Sequence, residues 1–245
     1  MPEQHLTTLS FQTKKTLPSK AIATTYVTKS FQNATEVFHG YYSYPQFPTY
    51  CPQADALNRF YLNQYINAYR EMSDIRSTAF LNILPANTVY AYDHTFEISY
   101  NTKEYISIVE NTISYAGGAQ PSDFTQAHTF SLSDGLEKPL TYFLQLASIS
   151  EVTFRDSLIK AVRKSTDIFS PSAEQFLANK DLDSFSFYID RKGIIIFFNP
   201  SEIAPSVQGI VKFQLPLQIT ENFLIAKRIE TVISILLLTH LYSIN

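Results

Sequence analysis

An α+β fold of antiparallel sheets built from hairpins, each covered by helices on one face, is what this sequence predicts. Three observations carry that expectation. First, His94 to Pro121 reads as two alternating segments followed by a glycine break. Phe96, Ile98 and Tyr100 oppose Thr95, Glu97 and Ser99. Further on, Ile106 and Ile108, with Glu110 in phase, oppose Tyr105, Ser107 and Val109. Period-two alternation places successive side chains on opposite faces of a strand, and the polar Asn101-Thr102-Lys103-Glu104 between them makes a hairpin turn. Second, a helical pattern of about six turns opens at Pro52. In it Leu57, Phe60, Tyr61, Gln64, Tyr65, Ala68, Tyr69 and Met72 recur at three- and four-residue steps. Third, shorter strand and helix signals follow Pro121 in the same style.

In chain order, residues 1–20 are polar and unpatterned, which predicts a frayed end. Ala21 to Phe31 alternates and reads as a strand, and Glu36 to Tyr44 as a second. Tyr44-Pro45-Gln46-Phe47-Pro48 then breaks the ladder, because proline has no N–H to donate. After the long helix, Ser77 to Leu84 and Val89 to Asp93 lead into the hairpin, with a turn at Pro85-Ala86-Asn87. His128 to Leu132 is a brief strand and Ser133-Asp134-Gly135 a turn. Ser148 and Glu151 have capping-box spacing at the head of a helix to about Lys164. A short helix follows from Ser170-Pro171 through Ala178. Asp183 to Ile189 and Gly193 to Phe198 form another hairpin, which Asn199-Pro200 stops. Ser201 to Ala204 makes one helical turn and Gly209 to Leu215 a last strand. Hairpin-joined strands with segregated helices give the α+β class.

Composition narrows the function classes. The 245 residues are 45% hydrophobic and 17% charged, a balance that supports a sizeable core. Only 6 glycines against 16 tyrosines and 19 phenylalanines favour strands over flexible loops. A net charge of −3 leaves no basic footprint, so nucleic acid is not an expected partner. Cys51 is the single cysteine, which excludes an intrachain disulfide and a multi-cysteine zinc site. No apolar signal-peptide core is visible at the start. The apolar run within Ile225 to Tyr242 is interrupted by Lys227, Arg228, Glu230 and His240. It is too short to span a membrane, which takes about 20 apolar residues, and reads as a docked helix or strand.

Candidate chemistry is sparse. Tyr115-Ala116-Gly117-Gly118 ends a strand; paired glycines there turn the chain or let a backbone approach a ligand, and turning is the commoner use. No Gly-Lys-Ser/Thr follows, so this is no phosphate loop. Tyr61, Tyr65 and Tyr69 have core spacing, whereas Tyr41, Tyr42 and Tyr44 beside the prolines are the better-exposed aromatic candidates for a sugar or protein partner. Asp181, Asp183 and Asp190 fit a solvated helix end and a turn rather than a metal site. His5, His39, His94, His128 and His240 are scattered without ligand spacing, and no Gly-x-Ser-x-Gly elbow is present. Glu202 heads a predicted helical turn, where capping is the expected role. Neither a metal nor a cofactor is expected.

Two stretches carry a family resemblance. Ile106 to Pro121, with SYAGGAQP at its end, resembles the SYAGGAHP element of a bacterial envelope domain. Phe187 to Leu217 resembles the same family's Phe-Tyr-Ile, Asn-Pro-x-Glu-Ile-Ala-Pro and Gly-x-x-x-Phe pattern. That family is the domain of unknown function shared by RsiV-type anti-sigma factors and PdaC-type peptidoglycan deacetylases. Tyr44-Pro45-Gln46, followed by a helix containing Asn58 and Ile66, is similar to the companion PdaC-type N-terminal domain. The resemblance divides the chain into a PdaC-like part at 20–121, an RsiV-like part at 122–217 and an unassigned apolar tail at 218–245. It implies a non-catalytic, extracytoplasmic module at the cell surface that senses or binds a lysozyme-like protein or peptidoglycan. The rival expectations are a peptidoglycan-modifying enzyme with its site around the glycine break, or an accessory domain of such an enzyme. Gln120 replaces the pattern's histidine, and neither a sigma-binding segment nor a deacetylase domain is recognisable. The residues expected at a ligand are Tyr42, Tyr44, Tyr115, Gly117, Gly118 and Gln120.

Overall fold

Two sheets organise the chain. The computed structural model describes residues 6–8 (as backbone), 26–81, 89–165 and 169–215. Its strands are β1 (Leu6–Thr8), β2 (Val27–Ala34), β3 (Phe38–Gln46), β4 (Tyr90–Asn101), β5 (Tyr105–Tyr115), β6 (Ser122–Ser131), β7 (Phe187–Asp190), β8 (Gly193–Phe198) and β9 (Val211–Leu215). The helices are α1 (Ala54–Leu81), α2 (Leu140–Leu146), α3 (Glu151–Lys164) and α4 (Ala173–Asn179). One sheet runs in the order β2-β3-β4-β5-β6 and the other β1-β9-β8-β7.

The β4–β5 hairpin forms as its alternation predicts. Thr102 closes its turn, donating its N–H to the Tyr105 carbonyl at 2.9 Å and accepting the Tyr105 N–H on its hydroxyl at 3.1 Å. The alternation is interrupted once, by a bulge between Ile98 and Tyr100. An extra residue in one strand of a pair shifts which face the following side chains take. Phe96 and Ile98 therefore pack beneath α1 with Ile106 and Ile108, whereas Tyr100 joins Tyr105 in the core of the other unit.

Pairing is antiparallel except in two places. β3 and β4 run parallel because α1 lies between them in sequence, and parallel neighbours need such a long crossover. β1 pairs parallel with β9, so a segment read as a frayed end contributes a strand. α1 is also longer than expected. Ile75 and Ala79 continue the buried stripe of Ala68 and Met72. Ser77 and Thr78 bond back to the Ser73 and Asp74 carbonyls. The helical period thus overrides the strand expected from Ser77, and the turn expected at Pro85 lies outside the described residues. β3 continues through Pro45 to Gln46, since beyond Tyr42 only β2 is its neighbour and such an edge tolerates proline. The Asn58 side chain clamps the end of this segment, accepting from the Phe47 N–H and donating to its carbonyl, both at 2.8 Å.

The second unit surrounds one continuous core. Phe143, Phe154, Leu158, Leu177, Ile194, Ile196, Phe198 and Phe213 are buried together there, drawn from all three short helices and from β8 and β9. α2 was not expected from the sequence. Pro139 precedes it in an extended conformation, and Leu140, Phe143, Leu144 and Leu146 bury its inner face. Leu182–Ser184 form a 3-10 turn, so the strand expected from Asp183 begins only at Phe187. The helical turn expected at Ser201 to Ala204 is irregular, and a 3-10 turn follows at Ser206–Gln208. The tail at 218–245 lies outside the described residues.

The head of α3 shows why spacing alone misplaced its cap. Ser150 is the N-cap, its hydroxyl accepting from the Thr153 N–H at 3.2 Å. Ser148 has φ 56° and belongs to the turn out of α2. Ser150→Ala is expected to cost about 1 kcal/mol, the usual worth of such a cap, and Ser148→Ala to leave the cap intact. Urea unfolding of the two variants side by side checks this.

A second asparagine clamp joins the two units. Thr125, on edge strand β6, gives its N–H to Asn199 Oδ1 at 2.8 Å and takes a hydrogen bond from Asn199 Nδ2 at 3.0 Å on its carbonyl. The Asn199 side chain thereby imitates a neighbouring strand. Its own N–H is held by the Glu202 carboxylate, which also pairs with Lys180 at 3.6 Å. A further link between the units is made by the Ile189 N–H, which donates to the Ser107 hydroxyl on β5 at 3.0 Å.

Candidate functional site

The face of β4, β5 and β6 that lies beneath α1 carries polar side chains where a core would ordinarily be apolar. Its register sets His94 opposite Thr112, Phe96 opposite Glu110, Glu110 opposite Gln126, and Ile108 opposite His128. Between this face and α1 is a cavity of about 400 Å³. The helix supplies Gln64, Asn67, Ala68 and Glu71 to it. Tyr42 of β3, Tyr92 and His94 of β4, and Thr112 and Ser114 of β5 line the rest with Ser122, Phe124 and Gln126 of β6.

A chain of hydrogen bonds runs across this lining. Glu71 bonds Tyr92, Tyr92 bonds Thr112, and the Thr112 hydroxyl lies 2.9 Å from His94 Nδ1. The His94 ring stacks on Tyr42, with centroids 4.0 Å apart and planes 8° from parallel. Burial, with a smaller contribution from the charge on His128, pulls the His94 pKa down to about 4, so the ring is neutral at neutral pH. Its Nε2 is buried without a hydrogen-bond partner. Burial also raises the phenols of Tyr42 and Tyr92 well above their ordinary value.

Behind the cavity sits a second polar group. Glu110 is fully buried; its Oε2 accepts from Gln126 Nε2 at 2.6 Å, and its Oε1 has no partner. Burial raises its pKa against the opposing pull of His128 and Gln126. His128 Nδ1 lies 2.8 Å from Glu137 Oε1, and its Nε2 is 3.8 Å from Glu110 Oε2, within reach of an ion pair but not of a hydrogen bond. Burial disfavours the imidazolium of His128, but the hydrogen bond and charge of Glu137, with the charge of Glu110, outweigh it and raise the pKa. The hydroxyl of Tyr61 is likewise buried and unpaired. Unsatisfied polar atoms inside a protein are uncommon and costly, so their grouping on one face is informative.

The residues expected at a ligand fall in two places. Tyr42 lines the cavity, but it is 1% exposed and belongs to the floor, which corrects its reading as a well-exposed aromatic. Tyr44 is half-buried and stacks on Tyr65 of α1. Tyr115, Gly117, Gly118 and Gln120 lie at or in the β5–β6 loop, whose flanking Ser114 and Ser122 reach the cavity. Tyr115 packs on Tyr90, and Gly118 and Gln120 are exposed. Gly117 has φ +86°, and a Cβ there would lie 2.6 Å from the Tyr90 hydroxyl, so this position needs glycine for the turn itself. Gly117→Ala is expected to destabilise by about 1–3 kcal/mol. Gly118→Ala, which meets nothing closer than 3.9 Å, is expected to be nearly silent in the same thermal melts.

His94, Thr112, Glu110 and Gln126 were not among the expected site residues. The signal for two of them lay in the alternation, where a histidine and a glutamate share the phase of Phe96, Ile98, Ile106 and Ile108.

Comparison with known families places this geometry. Residues 31–123 match the family described as Deacetylase PdaC, and residues 138–218 match the family described as Protein of unknown function (DUF3298). The chain contains a PdaC domain followed by a DUF3298 domain. Most of the cavity lining, from Tyr42 to Ser122, lies in the PdaC match, and the Asn199 clamp lies in the DUF3298 match. Among solved structures, a DUF3298 family member from Bacteroides fragilis is 16% identical with a TM-score of 0.48, over 80% of this chain and 92% of that one. A DUF3298 family protein from Pseudomonas aeruginosa is 11% identical with a TM-score of 0.49, over 78% and 89%. No curated protein matches the chain. Among the described residues, no helix is long and apolar enough to cross a membrane.

Proposed function

We propose that this chain is a non-catalytic, extracytoplasmic binding and sensing module of the bacterial cell envelope, with a lysozyme-like protein or peptidoglycan as its ligand. The observation that carries the non-catalytic reading is the state of the groups at the cavity. A general base works best with a pKa near the operating pH, and it is oriented by a third group. His94 has a pKa of about 4, and its Nε2 meets no carboxylate. Tyr92 is held protonated by burial. Amides and hydroxyls supply most of the remaining polar lining, which suits recognition. The PdaC-type domain supports a position outside the cytoplasm.

The enzyme reading rests on Glu110, a carboxyl with a raised pKa. It stands second because that carboxyl is enclosed behind Gln126 and has no exposed atom from which to reach a substrate. Calorimetric titration and pull-down with lysozyme and with peptidoglycan fragments test the proposal. Binding to at least one, with the fragments recovered unaltered, is the expected result. Binding to neither overturns the ligand assignment, and cleavage or deacetylation of the fragments overturns the non-catalytic one.

A further inference from the structure

We infer that this chain forms a two-fold dimer, joining the outer edge of β2 to the same edge of a second copy with Phe31 at the axis. The inference is independent of the ligand proposed above. β2 is the end strand of its sheet, and among the described residues nothing pairs with its outer side. The Thr35 N–H bonds the Phe38 carbonyl at 2.7 Å, which sets the phase of the β2–β3 ladder. Antiparallel partners exchange hydrogen bonds at alternate positions. Lys29, Phe31 and Asn33 therefore bond β3, while Thr28, Ser30, Gln32 and Ala34 point their N–H and C=O groups outward. Edge strands that must stay single are blunted by charges, prolines or bulges. β2 has one charge, Lys29, no proline and an unbroken register.

A second copy is the occupant because this edge complements itself. Thr28 to Ala34 is centred on Phe31. An antiparallel copy aligned there sets Ser30 of each chain opposite Gln32 of the other, and Thr28 opposite Ala34, so every outward group is paired. A shift of two residues either way sends Thr28 or Ala34 past the end of the facing strand. In the centred register Lys29 faces Asn33, and no like charges meet. Phe31 meets its own copy at a non-hydrogen-bonded position, where cross-strand side chains come closest. The axis runs through the sheet and leaves both α1 helices on one face, an isologous contact. That face is already apolar and open. Phe31 packs edge-on against Tyr69 at 5.7 Å, Tyr69 is 49% exposed, and Val27, in phase with Phe31, is 52% exposed.

The test is sedimentation velocity of the whole chain from micromolar to millimolar concentration, which is expected to show reversible dimers. Ser30→Pro removes an N–H that β3 does not use, at an edge position that tolerates proline. It is expected to keep the far-ultraviolet circular dichroism of the wild type and to weaken dimerisation by about tenfold or more, the loss of about 1.4 kcal/mol. Ser30→Ala retains the N–H and should dimerise as the wild type does. Three single cysteine variants read the register without depending on that proline. Phe31→Cys brings two thiols together across the axis with about 4.5 Å between Cα atoms, within disulfide range. With oxidised glutathione it is expected to give a covalent dimer, whereas Lys29→Cys and Asn33→Cys, which face other residues, are not. Cys51 is buried and adds no background. A wild type that stays monomeric throughout, a dimer undisturbed by a folded Ser30→Pro variant, or equal crosslinking at all three positions would each overturn the inference.

Discussion

Asn199→Ala lowers stability by about 2–6 kcal/mol, a large loss for a single polar side chain. Asn199 satisfies both backbone groups of Thr125, a residue only 2% exposed on the edge strand of the first sheet. Removing it strands a donor and an acceptor together, and each buried group left unpaired costs about 1–3 kcal/mol. The loss falls on the seam between the units, where the other hydrogen bonds described are Ile189 to Ser107 and the Tyr105–Tyr142 hydroxyl pair at 2.7 Å. Asn199→Asp keeps the acceptor but sets a carboxylate oxygen against the Thr125 carbonyl, so it should not rescue. Urea unfolding followed by tyrosine fluorescence and by far-ultraviolet circular dichroism reads the effect. A lower midpoint, with separation of the two probes' transitions, is the expected outcome. A midpoint unchanged within 0.5 kcal/mol, the usual scatter of a surface substitution, would mean that the clamp contributes nothing.

The same residue shows how far the sequence reaches. Asn199-Pro200 was legible as a strand stop, and β8 does end at Phe198. Nothing local announces that the Asn199 side chain binds a strand 74 positions away, because that partner is a backbone and backbones carry no sequence signature. The β4–β5 hairpin and α3 were legible because their periods are regular and they are bounded by turn or capping residues. α2 was not, since its seven residues offer less than two full helical repeats. The cavity was half legible. His94 and Glu110 stood in the apolar phase of their strands, yet register decides which of them meet, and register emerges only when the sheet is assembled. Tyr42 sat next to prolines in sequence, but its phase on β3 turns it inward beneath α1.

Acid should expose the cost of holding His94 neutral. Its folded pKa of about 4 lies below the ordinary 6.5, so the buried ring favours the neutral form. The associated stability is present above pH 6.5 and is lost as pH falls from there towards 4. A displacement of that size corresponds to about 3 kcal/mol. Two neighbours act with the opposite sign. Glu110 and His128 both have raised values, so their contributions are present in acid and lost as pH rises. The wild-type profile is therefore flatter than His94 alone would make it, and the difference between proteins is the decisive measurement. The other groups near His94 are the phenols of Tyr42 and Tyr92, which stay protonated throughout this range, and Glu71, which reaches it through Tyr92 and Thr112. His94→Gln removes the titrating ring while keeping a side chain able to bond Thr112. Urea unfolding at pH 7, 6, 5 and 4 should show the wild type losing about 3 kcal/mol relative to this variant, all of it between pH 6.5 and 4. Parallel profiles would mean that the ring is protonated without penalty. Water would then already reach Nε2, and the ring would not be the dry, unpaired group that its burial describes.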